Sequence, residues 1–116
     1  GQVTIWNGEM RYQGKIGRDL TVDQGYDAAR MCGLNLIAQV RAACNGDLDR
    51  VKQVVKLGAF VNCVDDFKEH PNVVNGASDL MAEVFGDAGR CTRTNAGVPS
   101  LPLGFAVEID GVFEIE

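Results

Sequence analysis

The 116-residue sequence predicts one α+β domain, in which a single β-sheet carries two helices on one face. Two stretches have apolar residues at the spacing of an amphipathic helix. Five others are typical of strands, because they either alternate apolar with other residues or are rich in apolar residues. Their order along the chain is β-β-α-β-α-β-β. The length fits one domain, and a composition of 46% hydrophobic and 23% charged residues is typical of globular proteins.

The N-terminal part of the chain predicts a β-hairpin. Short β-type runs at 3–6 and 10–12 flank the dipeptide Asn7-Gly8, and Asn-Gly between two such runs is a strong signal for a tight hairpin turn. Residues 17–20, which read Gly-Arg-Asp-Leu, predict a loop.

A long helix of about 22 residues follows this loop. Thr21 and Gln24 have the spacing of a capping box at its start, and Asn45-Gly46 tolerates the left-handed backbone that ends helices. Small residues at Ala28, Ala29 and Gly33 would let the helix lie close on a sheet. The residues that recur at helical spacing are Ala29, Gly33, Leu36, Ile37, Val40 and Cys44.

The middle of the chain predicts a strand over 51–64 with one buried face. The residues expected on that face are Val55, Leu57, Ala59 and Val61. A polar loop over 65–70 then leads to Pro71, which suits the first position of a second helix that Gly86 ends. The apolar residues of this helix are Val74, Ala77, Met81, Val84 and Phe85.

Two further strands complete the domain. Residues 92–98 are a candidate strand, and 99–104 form a tight connection with two prolines. Residues 105–115 alternate apolar and other side chains with period two, which is the clearest strand pattern of the chain. If the sheet face without helices carries apolar residues, we expect an oligomer to cover it.

Charge and cysteine content restrict the function classes. With 11 basic and 16 acidic residues the net charge is -5, which disfavours nucleic-acid and anionic membrane partners. No run of about 18 apolar residues predicts a membrane span. The cysteines are irregularly spaced, which favours free thiols in a cytoplasmic protein; they are Cys32, Cys44, Cys63 and Cys91. Because His70 is the single histidine and no cysteines are paired in a metal-binding motif, the sequence predicts no zinc site and no other cofactor.

Few residues have the pattern of catalytic groups. His70 lies in the polar loop and is interpreted as a solvated histidine rather than a base. Arg90 and Arg93 lie three residues apart and would point to opposite faces of an extended strand. Glu108 alternates with two apolar residues of the last strand, so it is either an outward polar residue or a carboxylate that faces a cleft and activates water.

The C-terminal third of the chain resembles the YjgF/Rid family of reactive-intermediate enamine/imine deaminases, formerly called L-PSP endoribonucleases. The resemblance lies in Arg-Thr-Asn at 93–95, Gly-Val-Pro-Ser-Leu-Pro-Leu-Gly at 97–104 and Val-Glu-Ile-Asp-Gly-Val at 107–112. Further matches are Gly-Lys-Ile-Gly-Arg-Asp-Leu at 14–20 and Asn-Gly-Ala-Ser-Asp-Leu at 75–80.

This resemblance implies a chorismate-mutase-like fold that assembles as a homotrimer with clefts between subunits. Arg93 would bind the substrate carboxylate, Glu108 would position or activate the attacking water, and Asn75 would line the cleft. The implied reaction is hydrolysis of 2-enamino or 2-imino acids to 2-oxo acids and ammonia, without a cofactor. The implied partners are therefore these small acids and further copies of the chain.

The sequence departs from the family pattern at several places. Residues 1–116 resemble a single family domain that begins at the family's Gly-Gln, so we expect its N-terminal strand to be missing from this chain. Cys91, Asn95 and Phe105 are also atypical. Within the cleft, Phe105 would narrow the substrate site and Asn95 would change its polarity.

Two other functions compete with the deaminase. The chain would alternatively be a non-catalytic trimeric module that binds small carboxylic acids or a protein partner. A ribonuclease is suggested by the older family label alone, and the acidic net charge argues against it.

Overall fold

The chain folds into five strands and two long helices in the predicted order. The computed structural model describes all residues, 1–116. In chain order the elements are β1 (Ile5–Trp6), β2 (Glu9–Met10), α1 (Val22–Ala43), β3 (Val51–Asn62), α2 (His70–Phe85), β4 (Thr92–Val98) and β5 (Val107–Ile115). Short 3-10 helices at Leu48–Arg50, Gly86–Gly89 and Pro102–Gly104 lie in three of the connections.

The main sheet has three strands in the order β4-β3-β5, with β4 parallel and β5 antiparallel to β3. α2 supplies the crossover that a parallel pair such as β3 and β4 requires. Both helices pack against this mixed sheet, and the apolar core lies between the two layers. This confirms the predicted α+β class with helices on one face. No helix of the chain has the length and apolar character needed to cross a membrane.

The N-terminal hairpin forms as predicted, but it is not part of the main sheet. Asn7 and Gly8 have φ values of 51° and 80° between paired strands of two residues each. Tyr12, just after the hairpin, also has a positive φ of 51°, and the hairpin is a separate two-stranded sheet. Single bridges from Gln2 to Ile109 and from Gln13 to Phe105 join this region to the rest of the fold. The expectation of one continuous sheet was therefore wrong.

The two ends of α1 agree with the sequence. Thr21 Oγ1 accepts from the Gln24 backbone N–H at 3.1 Å, and Gln24 Oε1 accepts from the Thr21 backbone N–H at 2.9 Å. Asn45 and Gly46 have φ values of 53° and 89° just beyond the helix. The capping box and the helix length of 22 residues are confirmed.

One expectation about β3 was wrong. Val55 was assigned to the buried face, yet Val54 is buried and Val55 is 43% exposed. The pairing with β5 shifts register between Val54 and Lys56, which is a β-bulge. An extra residue in one strand reverses the side-chain alternation up to the next register shift, which here lies between Val51 and Gln53. The pattern seen over Leu57 and Ala59 therefore does not extend back to Val55.

Two details of α2 and one of α1 also differ from the prediction. His70 is the first residue of the helix rather than part of the loop, so Pro71 takes the second helical position. Val84 is exposed, because neighbouring helical residues point in different directions and Phe85 is the one that packs on Phe113. The helices approach each other closely at Gly33, where an added Cβ would lie 2.9 Å from Leu80 of α2. This small residue therefore serves helix–helix contact rather than contact with the sheet.

The other face of the main sheet carries no helix. Phe60 and Val112 lie on this face and are 46% and 55% exposed. Phe60 pairs with Glu108, so the carboxylate of Glu108 is on the same open face. This apolar surface meets the condition under which we expected an oligomer.

Candidate active site

Arg93 is held on the helix-covered face of the sheet. It pairs with Leu57, a core residue of β3, and its side chain reaches α2. Arg93 Nη1 donates to Asn75 Oδ1 at 2.8 Å and to Ser78 Oγ at 2.9 Å. These bonds fix a half-buried guanidinium at the junction of β4 and α2.

The charge of Arg93 has no carboxylate partner within the chain. The four ion pairs of the structure are Arg11–Glu9, Arg18–Asp19, Arg30–Glu83 and Arg90–Asp87. Both hydrogen-bond partners of Arg93 are neutral, and its Nη2 and Nε make no hydrogen bond. An ionic hydrogen bond stabilises a charge more strongly when that charge is partly shielded from water, so this half-buried guanidinium is suited to bind an anion.

The guanidinium opens onto a groove of about 340 Å³ between α2 and the start of β4. Asp79 on the rim accepts a hydrogen bond from the Tyr26 hydroxyl at 2.8 Å, and this bond raises the pKa of Tyr26. The groove is lined by Asn75, Ser78, Asp79, Ala82, Gly89, Arg90, Cys91 and Arg93. It has the size of a small-molecule site.

Ser78 is a site residue that the sequence analysis missed. It lies three residues after Asn75 in α2, and residues at that spacing share one face of a helix. Once Asn75 was assigned to the cleft, this spacing could have identified Ser78. Its hydroxyl accepts from the same nitrogen of Arg93, so it contributes to the orientation of the guanidinium.

Asn95 and Phe105, predicted to bind substrate, lie elsewhere. Asn95 pairs with Ala59 and is half-buried on the same face as Arg93, two residues further along β4, but it does not line the groove. Phe105 is only 1% exposed, and its carbonyl accepts from Asn62 Nδ2 at 3.2 Å. In the single chain Phe105 belongs to the interior and has no surface for a ligand.

Glu108 lies on the opposite face of the sheet from Arg93. Arg93 pairs with Leu57, Glu108 pairs with Phe60, and no register shift separates these two positions of β3. An odd spacing along a strand places side chains on opposite faces. Glu108 is half-buried beside the N-terminal residue, and a Cβ on Gly1 would lie 2.8 Å from its Oε2. One chain therefore does not bring the two predicted catalytic residues together.

The fold and the family comparison give the same classification. A family model described as "YjgF/chorismate mutase-like, putative endoribonuclease" matches residues 1–111. The chain belongs to this YjgF/Rid family and has its chorismate-mutase-like α+β fold.

One curated relative is Protein TCP17 of Trypanosoma cruzi, which is 52% identical over 103 residues. The match covers 88% of this chain, and the chain spans 64% of the length of that relative.

Solved structures agree with the assignment. The protein Atu1372 of Agrobacterium tumefaciens, whose function is unknown, is 44% identical to this chain with a TM-score of 0.98. The match covers 100% of this chain and 74% of the Atu1372 chain. A "putative endoribonuclease" of Shewanella oneidensis is 42% identical with a TM-score of 0.90, over 94% and 72% of the two chains. Escherichia coli TdcF, solved with bound serine, shares the fold at 19% identity and a TM-score of 0.57, over 100% and 76%.

Proposed function

We propose that this protein hydrolyses reactive 2-enamino and 2-imino acids to 2-oxo acids and ammonia, in a cleft between subunits. The observation that carries the proposal is the guanidinium of Arg93, which is half-buried, held by Asn75 and Ser78, and free of any carboxylate in its own chain. A guanidinium binds a carboxylate through two parallel hydrogen bonds, so the free Nη2 and Nε suit the acid group shared by these substrates.

The reaction needs little more than orientation and an activated water. The enamine tautomerises to the imine, whose carbon is electrophilic. Water adds to that carbon, and the resulting carbinolamine expels ammonia to leave the 2-oxo acid. We assign to Glu108 the removal of a proton from the attacking water, which is general-base catalysis.

The proposal requires two chains at each site, because Arg93 and Glu108 lie on opposite faces of one sheet. We propose the homotrimer that the family resemblance implies. Two features support an assembly: β4 is an edge strand, and Phe60 and Val112 expose apolar surface beside Glu108. Covering this face with a neighbour would bring its edge strand and Arg93 toward Glu108.

The test is release of ammonia and 2-oxo acid from 2-aminoacrylate generated in situ. Loss of charged hydrogen bonds worth about 1.5–3 kcal/mol should lower kcat/KM roughly 10- to 100-fold in Arg93→Ala. Arg41→Ala on the exposed surface of α1 is the matched control and should keep full activity. Unchanged activity in Arg93→Ala would rule out the mechanism.

The alternative is a non-catalytic trimeric module that binds small carboxylic acids. It is favoured by one observation: one chain already forms a groove at Arg93, whereas the carboxylate needed for catalysis lies on the other face of its sheet. Calorimetric binding of 2-oxobutyrate by a wild-type protein that releases no ammonia would establish this alternative.

We also propose a cytoplasmic location. All four cysteines are free, as the sequence predicted. Unpaired thiols are typical of a reducing compartment, where disulfides are rare.

A further inference from the structure

A second groove brings a thiol and an imidazole together. Cys63 directly follows β3, His70 is the first residue of α2, and Cys63 Sγ lies 3.5 Å from His70 Nε2. The groove measures about 480 Å³ and shares no lining residue with the Arg93 groove. Its other lining residues are Val64, Asp65, Phe67, Gly97, Val98 and Pro99.

Gly97 of β4 provides the space for this contact. A Cβ at position 97 would lie 2.5 Å from His70 Nε2 and 2.8 Å from Cys63 Sγ. Real Cβ atoms do not approach neighbours this closely, so any other residue would force the thiol and the imidazole to move. The glycine is required here for its missing side chain.

The surroundings of the pair hold the imidazole and keep Cys63 protonated at rest. The edge of the Phe67 ring packs on His70, with centroids 5.1 Å apart at 75°. Burial raises the pKa of the Cys63 thiol, the Lys15 ammonium opposes this rise, and Asp65 adds to it. Attack by sulfur therefore needs a base, and Nε2 is placed to accept the thiol proton when Nδ1 carries the ring hydrogen.

We propose that Cys63 and His70 form a nucleophilic pair that adds to small uncharged α,β-unsaturated carbonyl compounds. Sulfur forms a bond to the β-carbon while His70 Nε2 takes the thiol proton. The electrons of the carbon–carbon double bond move to the α-carbon, which then receives that proton from His70. The product is a thioether, and no oxidant or reductant takes part. Lys15 and Asp65 place charges of opposite sign near the thiol, so the charges around the sulfur do not favour an electrophile of one sign.

The test uses acrylamide, with peptide mass spectrometry to measure the rate at each cysteine. The background is Cys91→Ser, because Cys91 is the most accessible of the other thiols, whereas Cys32 and Cys44 are fully buried. Loss of the base in His70→Gln should slow alkylation of Cys63 by on the order of 10- to 100-fold. Gly97→Ala should slow it similarly, and Ala96→Ser, exposed on the other face of β4, should not.

The proposal would be overturned if acrylamide alkylated Cys63 at the same rate in the Cys91→Ser background and in that background with His70→Gln added. Labelling of Cys63 no faster than that of Cys32 and Cys44 would overturn it as well. Circular dichroism checks the fold of each variant, and His70→Gln decides the question if Gly97→Ala does not fold.

Discussion

At the residue scale, the chemistry of Arg93 depends on the neutrality of its neighbours. An arginine bound to aspartate would be a structural ion pair, whereas Asn75 and Ser78 orient the guanidinium and leave its charge uncompensated. The sequence predicted Arg93 and Asn75 through the family resemblance. Ser78 could not be assigned from its residue type alone, because serine is common on helix surfaces.

Gly76 is a second glycine, besides Gly33, at which the two helices approach closely. A Cβ at Gly76 of α2 would lie 2.0 Å from the backbone oxygen of Tyr26 in α1, and that backbone cannot swing away. Gly76→Ala should therefore destabilise the protein by about 3 kcal/mol or more in urea unfolding at fixed protein concentration. Gly58→Ala is the control, since its Cβ would meet only the flexible carboxylate of Asp110 at 2.9 Å. Equal stability of the two variants would contradict this account.

At the element scale, α1 depends on its capping box. The side chains of Thr21 and Gln24 satisfy two backbone N–H donors that have no carbonyl acceptor within the helix. Thr21→Ala should lower the free energy of unfolding by about 1 kcal/mol, and Ser100→Ala, in an exposed loop, should not change it. A Thr21→Ala protein as stable as wild type would show that tertiary packing alone sets the start of α1.

The bulge in β3 shows why strand faces are harder to predict than strands. The valines Val51, Val54 and Val55 are compatible with either register, and the bulge between Val54 and Lys56 appears only when β3 pairs with β5. The sequence located the strand, but the partner strand determined which of its valines are buried.

At the scale of the whole molecule, the separation of Arg93 from Glu108 predicts a mixed-chain effect. We expect sedimentation to give a mass near three chains, and Arg93→Ala and Glu108→Gln proteins each to keep no more than about a tenth of wild-type activity. Each interface of a cyclic trimer uses different surfaces of its two chains, so random mixing after co-refolding should rebuild intact sites at about a quarter of the interfaces. Activity in the mixture would then return to about a quarter of the wild-type value.

The control for this mixture is Arg93→Ala with the double variant Arg93→Ala/Glu108→Gln, which offers no intact site and should gain no activity over Arg93→Ala alone. A monomer in sedimentation, or an inactive mixture of properly folded single variants, would show that the site is not shared between chains in this way.

Local sequence by itself determined the elements of this protein. Asn7-Gly8, the Thr21 capping box, Gly86 and the alternation over 107–115 act through nearby backbone geometry, so the hairpin, both helices and the last strands were predicted close to their observed bounds. The resemblance added Arg93, Asn75 and Glu108 as candidates.

Only the tertiary structure decided how these residues face one another. Strand pairing placed Arg93 and Glu108 on opposite faces of the sheet. Packing of the segments around the sheet buried Phe105 and brought Cys63 to His70 across the space left by Gly97. These contacts join residues from different elements. They depend on strand pairing and helix packing, which the spacing of residues within one segment does not specify.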